Sequence, residues 1–235
     1  LYFAGSKMST YVSLTNELLR RLNEVPLDAA GDGFDIVRNI QAVAKDAINS
    51  SLREVYQVGM EWPFLKTTYT QPLSAGTNEY LFPSDFSRVD WETFYIKRLS
   101  SESNSPQLLS VISYEEYLKT YRPQDDTDRQ AVPTLVYQTF GDSFGVTPTP
   151  NASYEVEYVY WRAPNTLVNY SDNCIIPERF NHVVLDGAMS YMMSFRSNDQ
   201  GAAMHDQKFE QGIRHMKRIL FDDELRLRSI VVERR

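Results

Sequence analysis

Apolar residues recur at helical spacing near both ends of the chain and alternate with polar residues in its middle. Two amphipathic stretches lie at 9–24 and 35–59, and two more follow Pro177, the second of which runs to about Leu220. Spacings of three and four residues predict helices, because residues at that spacing share one helix face. Turn-forming residues at 196–199 separate the last two helices, which are therefore expected to form an antiparallel hairpin.

Over residues 65–162 the hydrophobic period changes to two, which is typical of strands. The clearest run is 153–162, in which Tyr or Val occupies every second position over most of its length. Residues 135–140 and 143–147 can pair as a hairpin, and a capping sequence predicts a short helix over 114–121. This region therefore reads as a mainly β block between two helical pairs.

These patterns predict an α+β protein, with a bundle of long helices and an inserted antiparallel β-sheet or sandwich. An N-terminal pair and a C-terminal pair of helices would form the bundle. The expected organisation is an expression-tag remnant at 1–7, a discontinuous helical bundle at 8–63 plus 170–223, an inserted β domain at 64–169 and a C-terminal arm at 224–235. The first six residues resemble the protease site of such a tag.

The composition narrows the possible functions. The chain has 235 residues, enough to bury a conventional core without a metal or a disulfide. Its one cysteine, Cys174, excludes an intrachain disulfide. No apolar run approaches the roughly 20 residues that a transmembrane helix needs. The net charge of −7 argues against wrapping nucleic acid, because wrapping requires dense positive charge.

Several short motifs occur in an order that is known from one family. A strand ending at 158–164 (Tyr-Val-Tyr-Trp-Arg-Ala-Pro) precedes Ile-Pro-Glu-Arg-Phe at 176–180, which opens a helix containing Gly-Ala at 187–188. The N-terminal part agrees, with a Leu-rich segment at 14–26 and Glu-Trp-Pro-Phe at 61–64. In these features the chain resembles the head-to-tail adaptor proteins of tailed bacteriophages, a group that includes the tail tubular protein A of short-tailed phages.

This resemblance implies a structural protein of the virion, without catalytic, cofactor-binding or metal-binding residues. A dodecameric ring of this chain would lie below the portal protein ring, around the DNA exit channel, and would bind a downstream tail or nozzle protein. DNA would pass through without sequence-specific binding. The protein would be made in the cytoplasm of the bacterial host and would act in the virion neck, at the head-tail junction.

The last residues of the chain form a basic and partly apolar segment. Three acidic residues at 222–224 are expected to disfavour the end of the preceding helix electrostatically. A frayed terminus is one interpretation of 224–235. An arm that becomes ordered on a partner is the other, and the apolar residues favour it. By the resemblance, the arm would bind the portal through Leu225, Arg226, Leu227, Arg228, Ile230, Val231, Val232, Arg234 and Arg235.

One motif raises the alternative of a serine hydrolase. The sequence Gly-Asp-Ser-Phe-Gly at 141–145 fits the nucleophile elbow, in which a strand-to-helix turn exposes the serine. Here the segment 146–150 follows, and its two prolines prevent a helix. We therefore predict a tight hairpin turn at Ser143 rather than a nucleophile.

Candidate metal ligands are sparse. Three groups of residues are candidate metal ligands: Asp28, Asp32 and Asp35; Asp125, Asp126 and Asp128; and Glu178 with His182. The first group lacks the alternating acidic ligands and terminal Glu of a calcium loop. The second is better explained as a solvated loop, and the third has too few ligands for a structural zinc site. No metal site is therefore predicted, and Cys174 is expected to be a small buried apolar residue.

The tyrosine-rich β block suggests a different class of function. Aromatic faces can stack on sugars, so a carbohydrate- or receptor-binding module of a phage tail is an alternative to the adaptor. The flanking helices argue against it, because a simple lectin-like sandwich has no place for them.

Overall fold

The computed structural model describes residues 8–27, 34, 39–59, 61–98, 105–125 and 130–232, and only the backbone of 124–125 and 222–232. Some predictions lie outside these residues: the tag remnant at 1–7, the aspartates Asp28, Asp32, Asp35, Asp126 and Asp128, and the last arginines, Arg234 and Arg235.

Within the described ranges the helices are α1 (Tyr11–Arg21), α2 (Ile40–Val58), α3 (Tyr114–Glu116), α4 (Arg122–Asp125), α5 (Asn181–Phe195) and α6 (Asp199–Val232). A π-helical turn, Tyr117–Tyr121, joins α3 to α4. The strands are β1 (Lys66–Leu73), β2 (Glu79–Leu81), β3 (Phe86–Arg98), β4 (Gln107–Leu108), β5 (Ser110–Ile112), β6 (Leu135–Gln138), β7 (Ser143–Thr147) and β8 (Tyr154–Arg162).

The described residues divide into two compact units. The helical unit contains those up to Phe64 and those from Pro164 onward, and the β unit contains Leu65–Ala163. The helical unit is therefore assembled from two separate parts of the sequence. The α+β class is confirmed by this content. A bundle of long helices is not evident, because α1 has 11 residues and α5 has 15.

The two N-terminal helices form where the spacing predicts them. The Thr10 side chain caps α1 by accepting a hydrogen bond from the Ser13 N–H at 3.3 Å. The inner face of α1 buries Tyr11 and Leu14. The Tyr11 hydroxyl also donates to the Lys45 carbonyl at 2.9 Å, which fixes α1 against α2.

Trp62 closes the N-terminal part of the helical unit. Its ring is fully buried and stacks on Phe64 with 5.6 Å between the ring centroids. Its Nε1–H donates to the Val55 carbonyl at 2.8 Å. A buried indole needs a partner for its N–H, and the last turns of α2 supply it.

The helices α5 and α6 form the predicted antiparallel hairpin. His205 of α6 lies 3.1 Å from Asp186 of α5. Gly187 allows the close approach, because a Cβ there would overlap the Ser51 hydroxyl of α2 and lie 2.9 Å from the Phe209 ring of α6. The small residue in this helix therefore brings three helices together, as its place in the apolar stripe predicts.

Helix α6 is longer than predicted. It runs through Asp199–Val232, 34 residues, so the predicted end near Leu220 is wrong. An unfavourable charge near a helix end costs only about 0.3–1 kcal/mol, and the leucines and arginines that follow the acidic residues at 222–224 are good helix formers. Within the described ranges, no helix combines the length and apolar character needed to cross a membrane.

The β unit contains two four-stranded sheets that share one core. Their strand orders are β1-β8-β3-β4 and β2-β7-β6-β5. Phe94 and Tyr158 of the first sheet pack with Val136 and Phe144 of the second, which makes the unit a sandwich. The prediction of antiparallel pairing is wrong for one pair of strands, since β5 and β6 are parallel. The helical segment between these two strands carries the chain across, as parallel strands require.

Candidate functional site

Ser143 lies in the hairpin that joins β6 to β7, as the sequence predicts. Gly141 has a φ of 78° in the turn, a conformation that glycine adopts without strain. The Ser143 hydroxyl is buried, lies 3.1 Å from a Glu79 carboxylate oxygen and makes a short contact with the Thr139 hydroxyl. The chain continues from β7 into β8, so the strand-to-helix turn of a nucleophile elbow is not formed along this described stretch.

The histidines make local or packing contacts. His182 and His215 each contact a residue three positions away, and His205 pairs with Asp186. All three belong to the helical unit, whereas Ser143 belongs to the β unit. Over the part of the chain that the structure describes, no group of three or more His, Cys, Asp or Glu side chains could hold a metal ion.

Cys174 lies in the interior of the helical unit. Its side chain has no exposed surface, and its N–H donates to the Ser9 carbonyl at 2.9 Å. Burial raises the pKa of the Cys174 thiol to about 11. The thiolate is the nucleophilic form, so at neutral pH this cysteine is a small buried apolar residue, as predicted.

The β unit has an open aromatic cleft of about 350 Å³. It is lined by Trp91, Val111, Ile112, Ser113, Tyr114, Gln138, Thr139 and Phe140. Phe140 is 82% exposed and contacts Tyr114 edge to face, with 4.9 Å between the centroids. Aromatic faces beside hydroxyl and amide groups suit a sugar, so the carbohydrate-binding alternative stays a prediction with this cleft as its place.

The predicted portal-binding residues up to Val232 lie at the C-terminal end of α6, and Arg234 and Arg235 lie outside the described residues. The backbone over 225–232 is helical, so this part of the predicted arm continues α6. The side chains there are not among those described. The assignment of this segment to a portal partner therefore stays a prediction.

Two further surfaces on α6 differ in charge, and the sequence analysis assigned neither. The first, here called the acidic-rimmed groove, is a space of about 420 Å³ between α2 and α6, lined by Glu54, Gln57, Val58, Asp206, Phe209, Glu210, Ile213, Arg214 and Lys217. The second, the basic face, is formed by Gln211, Arg214, His215 and Arg218. In the sequence, these surfaces are indicated only by polar residues that lie outside the apolar stripe of the helix. The stripe does not show which of those polar residues face α2.

The acidic-rimmed groove combines an apolar floor with carboxylates. Phe209 and Ile213 form the floor and are almost fully buried, whereas Val58 on the α2 side is 47% exposed. Glu54 accepts a hydrogen bond from the Tyr191 hydroxyl, and this bond raises the pKa of Tyr191 to about 12. A groove of this kind suits a side chain with an apolar stem and a cationic head.

Comparison with known proteins identifies a family. The family model described as SU10 adaptor protein matches residues 9–231 of the chain. No protein in the curated set matches the chain. The expected adaptor relationship is confirmed at this broader level, while the finer expectation of a tail tubular protein A-like type stays a prediction.

Proposed function

We propose a structural role in the bacteriophage particle for this chain, which belongs to the SU10 adaptor protein family. The extent of the match carries the proposal, because residues 9–231 include every described helix and strand of both units except the last residue of α6. An adaptor joins other proteins. Its function therefore depends on the surfaces that it presents rather than on a catalytic pocket.

The position that we propose is the neck of the virion, at the head-tail junction. A dodecameric ring of the chain lies below the portal ring, binds a downstream tail or nozzle protein on its other side and surrounds the DNA exit channel. The net charge of −7 supports passage of DNA without sequence-specific binding, since an acidic wall repels phosphates. The protein is made in the cytoplasm of the bacterial host before it joins the particle.

The C-terminal segment 224–235 is the part that we assign to the portal. Two observations support this assignment. The segment carries arginines among apolar residues in an otherwise acidic protein, and its backbone continues α6 as far as Val232. A helix that presents apolar and cationic side chains can lie in a groove of a partner. Removal of the segment after Asp223 should leave the helical unit folded and abolish portal binding.

Electron microscopy of the protein mixed with the portal ring of the same phage tests this role. We expect a second ring stacked on the portal, with a subunit count that can be read directly. The chain truncated after Asp223 is the matched control and should give portal rings alone, while its circular dichroism stays that of a folded protein. Bare portal rings with the full-length chain, at low and at physiological salt, would contradict the proposal.

The aromatic cleft supports one second candidate, a carbohydrate-binding role of the β unit. Trp91→Ala and Phe140→Ala remove the rings that would stack on a sugar. Glycan-array binding by the full-length chain that is lost in both variants would establish this role. An array without signal would dismiss it.

A further inference from the structure

The contact between neighbouring copies of the chain can be inferred from the two surfaces of α6. A head-to-tail ring requires two different patches on every copy. The acidic-rimmed groove and the basic face lie on adjacent sides of one helix and share Arg214 at their common edge. At 100° per residue, Arg218 is about 120° around the helix axis from Asp206, which lies at the acidic end of the groove. One copy can therefore fill a neighbour's groove while its own groove stays open for the next.

The groove offers what an arginine side chain needs. Glu54 and Asp206 form its acidic end, and Phe209 supplies apolar floor beside them. Arginine packs its methylene groups on apolar surface, and its guanidinium donates to carboxylates. Arg214 and Lys217 lie towards the C-terminal end of the groove, and the guanidinium of Arg214 is already 3.7 Å from Glu210. The acidic end is therefore the part open to an incoming cation.

The basic face has the complementary charge. Gln211, Arg214, His215 and Arg218 are exposed and follow one another at spacings of three, one and three residues, which places them on one side of the helix. This face contains two guanidinium groups and no carboxylate. The guanidinium of Arg214 is already paired with Glu210 at the groove's edge, so Arg218 carries the docking charge. A second copy of the chain necessarily brings an acidic-rimmed groove, and complementary charge selects the partner and its register.

We propose that in the assembled ring the basic face of one copy docks into the acidic-rimmed groove of the next, with Arg218 directed at the acidic end. This inference rests on the proposed function. Arg218 lies twelve residues beyond Asp206, about 18 Å along the helix. A closed ring therefore needs α6 inclined to the ring axis, which a map of the portal complex would show directly.

Cross-linking with neutral substitutions tests the contact without changing any charge. Gln57→Cys places a thiol in the groove and Gln211→Cys places one on the basic face. The two variants are mixed, assembled on the portal and treated with a short bis-maleimide. We expect a cross-linked dimer from the mixture and none from either variant alone, because the contact joins different positions. The wild-type chain is the control for Cys174, which is buried.

Charge reversal tests whether the acidic end and Arg218 attract each other. Arg218→Glu should lower the yield of the mixed cross-link roughly tenfold, since reversed charges across an interface repel. Arg20→Glu on the exposed side of α1 changes the net charge by the same amount and should have no effect. Adding Asp206→Lys to Arg218→Glu restores opposite charges and should recover most of the yield.

The outcomes separate this contact from the adaptor role. A wild-type ring on the portal without the mixed cross-link would overturn the contact and leave the adaptor role intact. Dimers of Gln211→Cys alone would also overturn it, since they require a two-fold contact between basic faces. Portal rings that remain bare with wild-type protein would overturn the adaptor role and this contact with it.

Discussion

Gly187 is the position at which one methyl group should most affect the stability of the helical unit. A Cβ there would overlap the Ser51 hydroxyl and lie 2.9 Å from the Phe209 ring. The Ser51 hydroxyl is fully buried and donates to the Val184 carbonyl at 2.8 Å. It therefore cannot turn towards solvent, and the substitution Gly187→Ala must displace either this hydroxyl or the helices around it.

Three effects set the size of the change for Gly187→Ala. Overpacking of a core costs about 1–3 kcal/mol. Displacing a buried hydroxyl from its acceptor costs about 1–3 kcal/mol more. In the opposite direction, Ala is better than Gly in a helix interior by about 1 kcal/mol. The free energy of unfolding should therefore fall by about 1–5 kcal/mol in Gly187→Ala.

Urea unfolding followed by far-UV circular dichroism measures this difference. Gly201→Ala is the matched control, because a Cβ there meets the exposed side chain of Asn198 rather than a buried helix, and its effect should be smaller. Ser51→Ala in the Gly187→Ala background removes the overlapping hydroxyl and should recover part of the loss. A Gly187→Ala protein as stable as the wild type would refute the close-packing argument.

Three further predictions concern Cys174, Ser143 and two tyrosines with raised pKa values. Cys174 should not react with a thiol reagent at pH 8 in the folded protein and should react after unfolding, because burial raises its thiol pKa to about 11; reaction in the native state at the unfolded rate would contradict its burial. Ser143→Ala should lower the free energy of unfolding by about 1 kcal/mol, the typical contribution of a lost hydrogen bond, and should leave any background ester hydrolysis unchanged; an activity that disappears with Ser143 would instead establish a hydrolase. Burial of Tyr160 and the Glu54 bond of Tyr191 raise both phenol pKa values to about 12. Because the unfolded chain then releases these protons at lower pH than the folded one, stability should be retained below pH 10 and lost between about pH 10 and 12, which phenolate absorbance recorded with circular dichroism would follow.

Local elements of this fold could be predicted where nearby residues decide the structure. The hydroxyls of Thr10 and Ser113 each accept a hydrogen bond from an N–H three residues later, which starts α1 and α3 as expected. The turn at Gly141 likewise follows from the residue type. The continuation of α6 beyond Leu220 could not be predicted in this way. There, a weak charge effect competes with favourable helix propensity on both sides, and the sequence does not show which prevails.

Longer-range features could not be predicted because they depend on which surfaces meet. The parallel pairing of β5 with β6 depends on where the helical segment between these strands returns the chain to the sheet. The acidic-rimmed groove joins Glu54 to Asp206 across α2 and α6. Periodicity separates the buried side of α6 from the exposed side, but it does not identify the neighbour beside each exposed residue. The predicted portal binding of the segment 224–235 concerns a contact with another protein, so only an experiment with that partner can test it.

The division of the helical unit between the two ends of the sequence sets an order of events during synthesis. Protein domains begin to fold as their residues leave the ribosome. The β unit is complete once β8 has emerged, whereas Ser51 finds its Val184 acceptor only 133 residues later in the chain. Until then the apolar sides of α1 and α2, including Leu14 and Ile48, have no partner from α5. Nascent chains that stall before α5 should therefore be bound by chaperones or aggregate.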